Sequence, residues 1–364
     1  MSKSTILILT SQAGGGHMNL AQSLRDMLDD RYHVVITDPQ PPKTEQFYAT
    51  ASRKFVQFLN WQYAFTDHAL TAYGLQSIVT HLGLKRCMSI IEQVQPQLII
   101  ATHALVSYLA ARANEQSKKC VPLVFQLTDL GLLHKTWFTE KHADAYLAPT
   151  REIFAQTQAQ GIAKNHVYLT GRPVRRQFLE TTPVEKEYFL ANLHFDPATF
   201  TLFLQGGAKG SARVDQTIEN VLTTHLPVQI ILAAGNNTEL AARYKGAEQV
   251  RVLPFTENIA PYMAAADVIA GKAGASSITE AFILEKPFLA TAFIPGQETP
   301  NLRFIEQHNL GWVCLEARTQ HALLSQLISG PDSTAEKVAS IRAYKNWNIQ
   351  ANQEIGPIID RLAQ

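Results

Sequence analysis

Residues 271–301 read GKAGASSITEAFILEKPFLATAFIPGQETPN. The stretch parses as a strand end, a turn of small residues, a helix, a second strand over FLATAFI and a polar loop. Gly271, Ala273, Gly274 and Ala275 let backbone amides approach an anion closely. Ser276 and Ser277 suit a helix start, whose amides carry partial positive charge. That combination is a seat for a diphosphate. Glu280 lies about one helical turn further in, where it can accept hydrogen bonds from an attached ribose. Gln297 and Glu298, after Pro295-Gly296, bring the amide and carboxylate groups that sugar hydroxyls favour. The plainer alternative is a βαβ unit whose small residues only allow close packing. The order of small-residue turn, carboxylate and second polar loop favours a nucleotide-sugar site.

With 364 residues, 46% hydrophobic and 17% charged, the chain is long enough for two soluble domains. Its net charge of +1 gives no global reason to expect nucleic acid. The charge is uneven, however. Residues 1–180 hold 18 Lys+Arg against 13 Asp+Glu, which suits an anionic membrane surface. Cys87, Cys120 and Cys314 are odd in number and widely spaced, pointing to reduced thiols in a cytoplasmic protein. The apolar run from Ile6 to Leu9 is too short for a signal peptide, and no stretch reaches the roughly 18 apolar residues of a spanning helix. Membrane contact is therefore expected to be peripheral.

Working outward, TILILT at 5–10 reads as a buried strand running into Gln12-Ala13-Gly14-Gly15-Gly16-His17. A helix follows, with Leu20, Ala21, Leu24, Met27 and Leu28 on one face. HVVIT at 33–37 is a second strand, ending at Asp38. A dinucleotide-binding fingerprint has to be tested here. Gly14 and Gly16 fill two of its glycine positions and Asp38 has the ribose-binding spacing, but Asn19 stands where the third glycine belongs. Residues 45–91 gather Phe47, Tyr48, Phe55, Phe58, Trp61, Tyr63, Phe65 and Tyr73 among Arg53, Lys54, Lys85 and Arg86. That pattern suits a helix at a lipid interface or an insertion packed into the core.

Further strands end at Thr102-His103, Thr128-Asp129, Pro149-Thr150 and Thr170-Gly171. Ligands of such sheets bind beyond the carboxyl ends of the strands, so His17, His103 and Asp129 are placed to share one crevice. A second series restarts with TLFLQ at 201–205 and Gly206-Gly207-Ala208-Lys209-Gly210-Ser211. It passes through a strand over 250–253 to Pro254-Phe255-Thr256, where backbone groups suit a base edge. The expected fold class is α/β, with two Rossmann-like, doubly wound domains facing across a cleft. They span residues 1–176 and 177–343, and a C-terminal helix over about 344–364 crosses back to the first.

GGGH at 14–17, TDLGLLHKTWF at 128–138, GRPV at 171–174, QGGAKGS at 205–211 and the stretch at 271–301 occur in a characteristic order. In this the chain resembles the monogalactosyldiacylglycerol synthases and the related bacterial processive diacylglycerol glucosyltransferases. Both belong to glycosyltransferase family 28, of GT-B fold, which also holds the enzyme that adds N-acetylglucosamine to lipid I. The chain departs from the synthases at His134-Lys135, where they carry His-Pro before Thr-Trp. The resemblance implies an inverting hexosyltransferase that uses UDP-glucose or UDP-galactose and needs no cofactor. The product would be a β-glycosyl diacylglycerol, made by a cytoplasmic protein held peripherally at an anionic membrane. The resemblance places Gly206, Gly207, Gly274, Ala275, Ser276 and Ser277 at the donor phosphates and Glu280 at the ribose. Phe255 and Thr256 would meet the uracil, and Gln297, Glu298 and Asn301 the sugar. Gly15, Gly16, His134 and Trp137 would line the acceptor side.

Glycosyl transfer needs stabilisation of the departing UDP and a base for the acceptor hydroxyl. No Asp-x-Asp occurs, so no metal is expected and helix N-terminal amides are left to stabilise the leaving group. His17 is the first candidate base, because a histidine's ordinary pKa of about 6.5 suits proton removal near neutrality. Asp129 is the second, as base or as partner of a histidine. Two other functions fit the same residues. One is transfer of N-acetylglucosamine to a polyprenyl-linked or soluble acceptor. The other, of a different class, is UDP-sugar 2-epimerisation, which needs no acceptor.

Overall fold

The computed structural model describes residues 3–12, 15–41, 67–181, 186–206, 214–330 and 334–364. Gly14, Gly207, Lys209 and the aromatic and basic residues from Phe47 to Phe65 lie outside them. The chain forms two compact units, Met1–Arg175 with Pro295–Pro300 and Trp347–Gln364, and Arg176–Ile294 with Asn301–Asn346.

Strands and helices alternate through most of the chain. The first series is β1 (Thr5–Leu9), α1 (Gly15–Leu28), β2 (His33–Thr37), α2 (Ala69–Val94), β3 (Leu98–Ala101), α3 (Ala104–Glu115), β4 (Leu123–Gln126), β5 (Ala145–Ala148), α4 (Arg151–Ala159) and β6 (Val167–Leu169). The second runs α5 (Arg176–Glu180), α6 (Lys186–Asn192), β7 (Phe200–Gln205), α7 (Val214–Thr223), β8 (Val228–Ala233), α8 (Thr238–Tyr244), β9 (Val250–Val252), α9 (Ala260–Ala265), β10 (Val268–Lys272), α10 (Ala275–Ile283), β11 (Phe288–Ala292), α11 (Thr299–Gln307), β12 (Gly311–Val313) and α12 (Ala317–Ser329). Helices α13 (Ala335–Asn352) and α14 (Ile355–Leu362) close the chain.

In the first unit six parallel strands lie in the order β2-β1-β3-β4-β5-β6. The central strands are short continuous apolar runs, as a sheet covered on both faces requires. Alternate residues feed two cores. Leu7, Leu9, Ile99 and Phe125 meet Val106 and Leu109 of α3, while Ile6, Ile8, Leu98 and Ile100 meet Leu24 of α1 and Ile355, Ile358 and Ile359 of α14. The order reverses between β1 and β3. The segments leaving those two strands therefore diverge and open a crevice at their carboxyl ends.

The second unit holds six parallel strands in the order β12-β11-β10-β7-β8-β9, with the reversal between β7 and β10. Its core joins Leu202, Leu204, Ile230 and Ala270 to Ile218 of α7 and Leu324 of α12. The carboxyl end of β10 is tight. Gly271 has a φ of +153°, pairs with Gln205, and would place a Cβ 2.8 Å from the Gln205 carbonyl oxygen. The pairing with β11 also shifts between Gly271 and Lys272. Only glycine meets both demands at low cost. A Gly271→Ala variant is expected to lose roughly 1–3 kcal/mol, seen as a lower urea midpoint. An unchanged midpoint would mean that the bulge relaxes freely. Among the described residues, no helix is long and apolar enough to cross a membrane.

Candidate active site

The reversal of the first sheet brings two histidines together. His17 sits in the first turn of α1, after β1, and His103 follows β3. The Nδ1 of His17 lies 2.9 Å from the Thr102 carbonyl oxygen. A carbonyl only accepts, so Nδ1 carries the proton and, in the neutral ring, the lone pair falls on Nε2. Thr102 is itself fixed, its hydroxyl donating to Thr10 Oγ1 at 2.8 Å and its amide to the Leu9 carbonyl at 3.0 Å. The two histidine rings meet edge to face, with centroids 4.5 Å apart and planes at 77°. Burial, and after it the neighbouring His17 ring, push His103 well below the ordinary histidine range. His103 is thus neutral at physiological pH.

Asp129 follows β4, the neighbour of β3, and so occupies the same edge of the sheet. It is half-buried, with the Thr128 hydroxyl 3.4 Å from its Oδ2. Arg172 braces this loop. Its Nε donates to the Thr128 carbonyl at 3.1 Å, and its amide donates to Asn348 Oδ1 at 2.7 Å. Gly131, two residues on, has no room for a side chain, since a Cβ there would come 2.3 Å from the Pro300 carbonyl oxygen. The 295–300 segment therefore packs with the first unit, although the strand that leads into it belongs to the second. Gln297, half-buried, and Glu298, 3% exposed, ride on that segment.

Three residues singled out in the sequence of this unit are engaged within the fold. Asp38 is no ribose reader: its Oδ2 accepts from the Gln12 amide and its Oδ1 from the Gln40 amide, both at 2.8 Å. The carboxylate closes the first turn, which leaves the dinucleotide pattern without its acid. His134 starts the short 3₁₀ turn Lys135–Phe138, where its Nδ1 accepts from the Thr136 amide at 3.2 Å and lies 2.9 Å from the Thr136 hydroxyl. That turn points Trp137 inward, leaving it 4% exposed in the core beside Phe138 and Leu133. Gly15 and Gly16 occupy the first turn of α1, where Gly16 is exposed.

In the second unit α10 begins at Gly274 without a side-chain cap. Its first helical bond runs from the Ile278 amide to the Gly274 carbonyl at 3.1 Å. The amides of Ala275 and Ser277 stay outside that ladder, at the end of the helix that favours anions. This helix start and Gly206 follow adjacent strands at the reversal of the second sheet. The Gly206 amide donates to the Ala233 carbonyl at 3.2 Å, so it is committed to the fold. Asn301, fully buried, donates from Nδ2 to the Ala273 carbonyl at 3.1 Å and holds the turn from behind.

Ser276 and Glu280 lie one turn apart and are 5% and 4% exposed. The helix is buried almost all round, Ser276, Thr279 and Glu280 included, with Ser277 alone half-buried. Glu280 is therefore almost wholly sheltered from solvent. Phe255, by contrast, is 70% exposed on a turn stiffened by the Asn258 amide donating to Thr256 Oγ1 at 3.2 Å. An aromatic ring held out in this way is a stacking platform. Among the described residues, no group of three His, Cys, Asp or Glu stands together as a metal site.

Residues 17–174 match the family model for monogalactosyldiacylglycerol synthase, and residues 201–346 match the glycosyltransferase family 28 C-terminal domain. Over 356 residues the chain is 24% identical to a processive diacylglycerol beta-glucosyltransferase of Staphylococcus aureus, covering 93% of this chain and 88% of that protein. Its fold is similar to that of Anabaena HepE in complex with UDP-glucose, with 16% identity, a TM-score of 0.61, and 98% and 100% of the two chains covered. It is also similar to a UDP-N-acetylglucosamine 2-epimerase, with 13% identity, a TM-score of 0.60, and 99% and 97% covered. Those two similarities establish architecture alone. With one family model over the first series of strands and the other over the second, the chain belongs to glycosyltransferase family 28, as a GT-B glycosyltransferase whose first unit is of the monogalactosyldiacylglycerol synthase kind.

Proposed function

We propose that this enzyme moves a hexosyl group from a UDP-sugar to diacylglycerol, inverting at the anomeric carbon to give a β-glycosyl diacylglycerol. The match of the first unit to the monogalactosyldiacylglycerol synthase model carries this reading, and the identity to a diacylglycerol glucosyltransferase supports it. His17, with its Nδ1 proton committed to Thr102, takes the acceptor hydroxyl's proton on Nε2. The acceptor oxygen then bonds to the anomeric carbon as the bond to UDP breaks. The amides of Ala275 and Ser277 meet the charge on the departing diphosphate. Phe255 stacks on the uracil, Glu280 binds the ribose, and Gln297 and Glu298 read the sugar. Asp129 adds negative charge on the sheet edge that bears the histidines.

Helix α2 supplies the membrane surface. It presents Tyr73, Ile78 and Leu82, which are 56%, 63% and 65% exposed, beside exposed His81, Lys85 and Arg86. Apolar side chains enter the acyl boundary while the cations meet anionic headgroups.

Purified protein given UDP-glucose or UDP-galactose and diacylglycerol in anionic mixed micelles is expected to release UDP and form glycolipid. Epimerised UDP-sugar without any acceptor would instead favour an epimerase. No turnover with any pair of UDP-sugar and lipid would overturn the proposal.

A further inference from the structure

Gln205 carries a polar group that the fold does not use. It is the last residue of β7, at the carboxyl end where the second sheet reverses, and lies opposite Gly271 of β10. Leu202, Leu204 and Ala270 face the core made with α7 and α12. Gln205 and Gly271 are one residue out of step with them and face the other side of the sheet. The crossovers β7-α7-β8 and β10-α10-β11 run in opposite directions along the sheet, so right-handedness puts α10 on that other side. The Gln205 side chain therefore leaves the sheet on the face where α10 begins. It does so from the strand beside β10, level with Gly271 and three residues short of the helix start at Gly274.

Gly271 makes room for this side chain. A Cβ at Gly271 would come 3.2 Å from Gln205 Cγ, so the glutamine stem occupies space that a side chain on β10 would contest. A methionine would fill that space as well, without a polar end. Instead Gln205 Nε2 is sheltered from solvent and has no hydrogen-bond partner. A sheltered donor without an acceptor is a cost to folding, and one that a ligand oxygen removes. The residue is half-buried, and the helix start on its face of the sheet has no side-chain cap. The Ala275 and Ser277 amides there stand outside the helical ladder and suit an anion, and the Gln205 amide is a donor of the same kind. We propose that Gln205 is a donor-binding residue, its Nε2–H meeting an oxygen of the UDP-sugar's diphosphate at the start of α10. The inference rests on the reading of the second unit as the seat of the UDP-sugar.

Calorimetric titration of the full chain with UDP tests this without lipid or turnover. Gln205→Met keeps the length of the stem and loses the amide, and is expected to weaken UDP binding about ten-fold. Gln205→Glu keeps the shape but sets a carboxylate against the diphosphate, so it is expected to weaken UDP more than Met does. Uridine, which has no phosphate, is titrated alongside by ligand-observed NMR and should bind all three proteins alike. Equal UDP affinity in wild type and Gln205→Met overturns the proposal and leaves the UDP-sugar reading standing. An equal loss for uridine overturns it too, as does a Glu variant that binds UDP like wild type, since the amide oxygen would then be the contact. A wild type that binds no UDP removes the UDP-sugar reading and the proposal with it. Urea unfolding separates binding from a role in the fold. Removing an unpartnered donor should leave the Gln205→Met midpoint unchanged or raised, whereas a lowered midpoint would assign the residue to the fold and overturn the proposal.

Discussion

Replacing His17 with Ala is expected to lower kcat by about 10²–10⁴-fold, with the UDP-sugar KM little changed. The expectation follows from where the ring sits and what holds it. The Thr102 carbonyl fixes Nδ1 as the donor, so Nε2 is the nitrogen able to take a proton. The ring contributes little to packing, since the apolar face of α1 is made by Leu20, Ala21, Leu24 and Leu28. Loss of the bond to Thr102 should cost stability only about 0.5–1.5 kcal/mol. His17→Asn sharpens the comparison. Its amide can still donate to Thr102 but cannot act as a base, so it should be as inactive as Ala. UDP release and circular dichroism on both variants check this. An alanine variant that keeps more than about a tenth of wild-type kcat would move the base to Asp129.

The second large effect concerns stability. Glu140 is 4% exposed and pairs with Arg112, with His142 Nδ1 at 3.0 Å, and with the amides of Lys141 and His142, both at 2.8 Å. Breaking a buried ion pair costs about 3–5 kcal/mol. Here the Arg112 side chain is 31% exposed and has a second partner in Glu115 at 2.9 Å, which reduces the penalty. Glu140→Ala is therefore expected to lose about 2–4 kcal/mol in urea unfolding at pH 7. Burial alone would raise the Glu140 pKa, but the His142 amide and the Arg112 charge outweigh it and hold the carboxyl below its usual range. A carboxyl depressed in the folded state stabilises the fold above its unfolded pKa of about 4.3. That contribution disappears as pH falls through the folded value. The gap between wild type and Glu140→Ala should narrow accordingly below about pH 4. A gap that stays constant down to the acid transition would rule out the carboxylate as its source.

Much of the architecture was legible because its signals are local. Runs such as TILIL and LIIA announce covered parallel strands, and small-residue turns after them announce helix starts. His17 and His103 could be placed in one crevice because each ends a strand, although their ring contact could not. Residues whose duty depends on three-dimensional partners are not legible in this way. Asp38 has the spacing of a ribose reader, and only the positions of the Gln12 and Gln40 amides show that it closes a turn. The resemblance sets Trp137 on the acceptor side, and only the 3₁₀ turn shows that its ring is 4% exposed beside the core. Glu140 and Arg112 are 28 positions apart, with no motif to join them. The packing of residues 295–300 with the first unit was equally invisible, since it turns on Gly131 lacking a side chain 169 positions before Pro300.

One feature of the first unit bears on how the protein is made. Residues 347–364 belong to that unit, contributing Ile355, Ile358 and Ile359 to the core under β1 and β3, and Asp360 to Arg31 and Tyr32. During translation this segment emerges only after everything from Arg176 to Asn346. The nascent amino-terminal sheet thus waits with that apolar face covered by α1 but not by the carboxy-terminal segment while the second unit is synthesised. The first unit is therefore completed only when residues 347–364 arrive, and until then the apolar surface they cover is exposed to off-pathway association.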